Sequence, residues 1–187
     1  MGTSKNVASP DTPPWKPALA VLGRNGIPPS RQLREIWRSA SVDRGPRLLD
    51  DFAAPTLAIA CKLAQGSGNV HNVLREYESL LAHDRKLGLA AEIGRRALAR
   101  AVSSREGSQG FATELFAEAT SYYVSRDLPS FVGAKGRVET TTAAMALKSA
   151  IKGVTKEVVR SVGTPTTDPD GWVSYVKRVI TSLEGGR

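Results

Sequence analysis

Cysteine and histidine are almost missing from this chain, which has one Cys and two His among its 187 residues. The lone Cys61 excludes an intramolecular disulfide and suits a reducing compartment. His71 and His83 stand twelve positions apart without a second cysteine, so neither a zinc cluster nor a His-Glu-x-x-His helix can be assembled. Nucleophilic catalysis is left with Cys61 and His71 as its one nameable pair. The run Ala-Pro-Thr-Leu-Ala-Ile-Ala-Cys-Lys-Leu around that thiol is apolar, a setting that raises its pKa and packs it as a small hydrophobe. The chain has no Gly-x-Ser-x-Gly, no Walker loop and no glycine-rich dinucleotide loop after a strand. Asp50 and Asp51, like Glu76 and Glu78, point to different helix faces and make no carboxylate pair. No catalytic site, metal or cofactor is therefore expected.

Long apolar runs are lacking too. None reaches the roughly 18 residues that a membrane span needs. The N-terminus shows no continuous apolar signal region, and Met1-Gly2 is followed by Asn6 where a myristoylation pattern has Ser or Thr. A cytoplasmic protein without membrane contact is the expectation. Aromatics amount to only 6%, and Ala and Leu dominate the apolar set, which favours helices over sheets. There is no alternating run that demands a strand, no heptad register and no repeat of about 20–50 residues.

What the chain has in surplus is positive charge, +8 overall. Residues 1–44 hold seven Lys/Arg against three Asp/Glu, residues 45–110 nine against seven, and residues 111–187 ten against eight, or +4, +2 and +2. Such a surplus favours polyanions or an acidic protein partner and says nothing about fold.

The pattern predicts an all-α protein, a single compact bundle of roughly six to eight helices over 18–187 behind a flexible, Pro-rich tail over 1–17. The tail contains Pro10, Pro13, Pro14 and Pro17 and little that can repay ordering. Its Trp15 is either an anchor folding back on the core, the reading we favour, or a ligand for a partner's groove. Ser30 is a candidate cap for a helix from Arg31 to Ser39. Pro46 and Pro55 can open two short helices, Asn69 caps a longer one, and Gly88 is a joint to the next. Further helices are expected over Phe111–Val124, up to Val162, and over Trp172–Leu183.

Three basic features stand out. Lys148, Lys152, Lys156 and Arg160 recur every four residues beside the apolar face of Leu147, Ile151, Val154, Val158 and Val162. Like charges at that spacing cost roughly 0.2–0.5 kcal/mol per pair unless something acidic answers them. Glu157 offers Arg160 a local partner. Arg95, Arg96 and Arg100 form a second cluster with only Glu92 beside them. The third is the loop Gly133-Ala134-Lys135-Gly136-Arg137 before Glu139-Thr140 and a helix. Converging amides and a helix N-terminus would suit a phosphate there, though an exposed basic turn with a threonine cap is the reading we favour for the loop alone. The ridge has its own plain reading, since lysine stems cover apolar surface while their charge stays wet. It lacks stacking aromatics and base-reading side chains, so any nucleic-acid binding by it would be phosphate-driven and blind to sequence.

The start Met1-Gly2-Thr3-Ser4, a Pro-rich stretch and Pro14-Trp15 together resemble small accessory proteins encoded in bacterial anti-phage defence operons, the Qat-type B component in particular. The resemblance covers about the first seventeen residues and carries no catalytic motif. It implies a cytosolic bacterial component that works beside enzymes encoded nearby. The expected function is thus a non-enzymatic helical accessory protein with a protein partner. The alternative is a sequence-nonspecific nucleic-acid binder using the ridge, Lys135, Arg137 and the Arg95 cluster.

Overall fold

The structure is a computed structural model that describes residues 13–66, 69–82, 88–133 and 136–186. It is an all-α bundle: nine α-helices lie among the described residues, with an isolated bridge between Val132 and Val138 as the sole β pairing there. They are α1 (Lys16–Val21), α2 (Pro29–Arg44), α3 (Pro46–Phe52), α4 (Pro55–Leu63), α5 (Val70–Leu81), α6 (Gly88–Ser104), α7 (Gly107–Asp127), α8 (Thr141–Ser161) and α9 (Pro169–Leu183).

Helix starts follow local chemistry. Pro29, Pro46, Pro55 and Pro169 each occupy the first turn of a helix, where a fixed φ suits and the missing N–H loses no bond. Asn69, Thr140 and Asp168 accept hydrogen bonds from the amides of His71 (2.8 Å), Ala143 (3.1 Å) and Gly171 (2.7 Å). Ser30, expected as a cap, instead lies inside α2.

Eight helices match the expected set. The ninth, α1, falls partly in the stretch expected to be a tail. Pro13–Trp15 already form a 3-10 turn leading into it, so Pro13 to Pro17 belong to the helical domain, while residues 1–12 lie outside the described ones. Trp15 is the reason. Its side chain is buried, its ring 5.5 Å from that of Tyr123 at a tilt of 39° and covered by the Arg126 guanidinium at 3.9 Å. Arg126 is held in turn by Asp127 at 2.7 Å. Trp15 is therefore an internal anchor, and the reading of it as a partner's ligand is corrected.

The bundle is built around α7, which packs most extensively on α6 and α8 and also touches α2 and α4. Its buried residues run right round the helix, from Phe111 and Leu115 to Thr113, Thr120 and Tyr123. Trp37 of α2 sits against it with Phe52 and Phe116, all three nearly or fully buried. The indole N–H of Trp37 donates to Thr120 Oγ1 at 3.0 Å, and Thr155 of α8 reaches the same oxygen at 3.3 Å. Close approach of α6 to α4 and α5 depends on Gly94, where a Cβ would lie 2.6 Å from Leu57 Cδ2 and 2.5 Å from the Tyr77 hydroxyl. No helix among the described residues is long and apolar enough to cross a membrane.

Candidate functional site

The ridge on α8 meets its acids inside the molecule. Helices α7 and α8 run antiparallel, and Glu114 and Glu118 on α7 repeat at the same four-residue step as the lysines. Lys156 pairs with Glu114, and Lys152 lies 2.7 Å from Glu118 and 3.6 Å from Glu114. Arg100 enters from α6, bonding Glu118 and standing 3.3 Å from Glu114. Two carboxylates with side chains only 9% and 11% exposed thus gather three cations from two helices. Arg160 stands 3.9 Å from Glu106 rather than depending on Glu157.

Burial alone would push both carboxyls up. The Lys156 hydrogen bond and the charges of Lys152, Lys156 and Arg100 outweigh it at Glu114, and Lys152 with Arg100 does the same at Glu118, so both sit below the ordinary value. A carboxyl depressed in the fold contributes stability that is present above its unfolded pKa and is lost as pH falls through the folded one. Unfolding free energy is expected to hold between neutrality and about pH 5, then fall steeply below about pH 4. Chemical denaturation across that range should show a shallower fall in Glu114→Gln/Glu118→Gln.

The other expected residues are dispersed. Arg95 pairs with Glu78 of α5 at 2.8 Å and Arg96 with Glu92 at 2.9 Å, so the second cluster is split among separate partners and only Arg100 joins the ridge. Lys135 lies outside the described residues. Arg137 donates to the Leu19 carbonyl of α1 and covers the Phe131 ring at 4.9 Å. Among the described residues of its loop, the amides of Gly133, Gly136 and Val138 donate to Val138, Gly133 and Phe131 carbonyls rather than converging on one point, and the Thr140 hydroxyl caps α8. A Cβ at Gly136 would overlap the Phe131 carbonyl, which explains the glycine without a ligand. Arg137 is a clamp between loop and bundle.

Cys61 is fully buried, its thiol directed to the Ser108 carbonyl at 3.9 Å, and desolvation pushes its pKa up to about 12. His71 is exposed and contacts Arg75 at 3.1 Å. A proton-sharing pair is not what these positions provide. His83 is outside the described residues, and among those described no three His, Cys, Asp or Glu are placed to hold a metal.

Lys148 is different from the rest of the ridge. Among the described residues no carboxylate is within ion-pair distance of it, and it sits half-buried on the rim of a groove of about 290 Å³ between the end of α7 and the start of α8. Met145, one turn away on the same groove, is 70% exposed. No family model, curated protein or solved structure matches the chain.

The acidic answer to the ridge was present in the sequence as Glu114 and Glu118 at i,i+4, and that matching step was the missed signal. The groove had no such signal, because it arises from where two helices diverge.

Proposed function

We propose that this protein is a non-enzymatic helical accessory protein that acts by binding a partner protein. The observation that carries the reading is the internal pairing of Arg100, Lys152 and Lys156 with Glu114 and Glu118, which leaves the cluster a single net positive charge, beside a groove whose Met145 remains exposed. Cations held by nearby carboxylates have little to offer phosphates, which weakens the nucleic-acid reading. An exposed apolar side chain in a concave surface suits protein contact. The N-terminal resemblance adds a setting: a bacterial anti-phage defence system in which the protein works in the cytoplasm beside enzymes encoded nearby.

The test is affinity recovery of the tagged full chain from its native host, with a duplex shift assay at two salt concentrations. A fixed stoichiometric protein partner and no duplex binding at low salt are the expected results. Recovery of the chain alone, or duplex affinity that collapses with salt, would remove the reading.

A further inference from the structure

The register of the ladder between α7 and α8 says what the groove lacks. Glu114 answers Lys156 and Glu118 answers Lys152, so each step of four back along α8 is matched by four forward along α7. The next step sets Lys148 across from Tyr122, a residue that carries no charge and is itself 37% exposed. Beyond that position the α7 side of the seam becomes Ser125 and Leu128, and the α8 side becomes Met145 and Ala144, which line the groove with Val132. Among the described residues the Ser125 hydroxyl has no hydrogen-bond partner. Among the described residues a ladder of ion pairs therefore ends with its last cation unanswered, at the edge of an apolar floor.

We propose that this groove is the docking site for an apolar segment of an acidic protein partner, with a carboxylate of that segment completing the ladder at Lys148. The proposal rests on the accessory-protein reading and names the face and the chemistry of the partner. Charge complementarity decides the occupant: one exposed cation over an apolar floor asks for one carboxylate among apolar side chains. Met145 is unbranched and polarizable, and so adapts to whatever aliphatic or aromatic group enters. A second copy of the chain would bring another molecule of net charge +8 to the same rim, which long-range repulsion opposes. Burying Met145 under a partner would also dry the Lys148 pair, which strengthens it beyond an exposed surface bridge.

The probe is a library of random twelve-residue peptides displayed on phage, selected on the intact full-length chain, with enriched peptides then titrated by fluorescence anisotropy. Enriched peptides are expected to share an Asp or Glu among large apolar residues. Lys148→Glu and Met145→Asp, both at partly exposed positions, should each weaken them by about tenfold or more. Lys148→Arg should retain most of the affinity, and circular dichroism should show both weakened variants folded. Several outcomes overturn the proposal: no enriched peptide, peptides without acids, or equal affinity for the Lys148→Glu protein. So does binding that needs residues 1–12 deleted, which assigns the groove to the chain's own N-terminus, or a dimer that Met145→Asp dissolves. The same two variants separate this proposal from the one beneath it. If the native partner is recovered undiminished on Lys148→Glu/Met145→Asp, the accessory reading stands and this docking face falls.

Discussion

Glu114→Gln/Glu118→Gln is expected to lower the free energy of unfolding by about 2–4 kcal/mol, read as a shift in urea midpoint at unchanged slope. The size follows from position. Exposed ion pairs contribute about 0–1 kcal/mol, whereas removing one side of a buried pair costs about 3–5. This seam lies between those limits, with its carboxylates close to buried and Lys152 and Lys156 at 24% and 29% exposure. Glutamine keeps the shape of each side chain, so the loss reports charge rather than packing. It leaves Arg100, Lys152 and Lys156 facing one another without an anion, the unfavourable state that their spacing foretells. Adding Lys152→Met and Lys156→Met to the same protein should restore a large part of the stability, because both carboxylates then go together with two of their three cations, leaving only the half-exposed Arg100. If the quadruple variant is no better than the double, the cost lies elsewhere than in unanswered charge.

The same double variant bears on function. It adds two to a net charge of +8 and frees three clustered cations. It should therefore show stronger, salt-sensitive duplex binding than the natural chain, for which none is expected. Equal duplex binding by both proteins would mean that the ridge was never neutralised and would revive the nucleic-acid reading.

Much of this architecture is legible in the chain because local signals agree with it. Prolines at helix starts, the caps Asn69 and Thr140, and apolar periodicity along α5, α8 and α9 all act within one or two turns. What escapes is whatever depends on a second element. Helix α7 is buried on nearly every side, so its sequence has little amphipathic contrast, and its Glu114 and Glu118 look like ordinary surface acids until α6 and α8 close over them. The proline-stiff segment favours Trp15 as an anchor without showing where it lands; the Arg126 and Tyr123 surfaces that receive it are more than a hundred positions away. The basic loop misleads for a related reason. Glycine, lysine and arginine before a helix suit an anion, but Arg137 is already taken by a carbonyl of α1.

Trp37→Ala is expected to be the most damaging single change, at about 3–5 kcal/mol, and in a domain with a typical margin of about 5–15 it puts folding itself at risk. The indole is fully buried and lies 5.8–6.1 Å from the rings of Phe52, Phe116 and Tyr123, so alanine would open a void where α2, α3 and α7 meet. A gentler set of variants isolates the polar part of its role. Thr120 donates to the Phe116 carbonyl at 2.8 Å and accepts from the Trp37 indole, with Thr155 beside it. Thr120→Val leaves that indole N–H without a partner in a dry site, which costs about 1–3 kcal/mol. Trp37→Phe removes the donor instead, so in Trp37→Phe/Thr120→Val no orphan remains. The double variant should then be more stable than the sum of the two single losses predicts, by about 0.5 kcal/mol or more. Strict additivity in that cycle would show that the bond tying α2 to α7 is dispensable, and that shape alone holds Trp37 in the core.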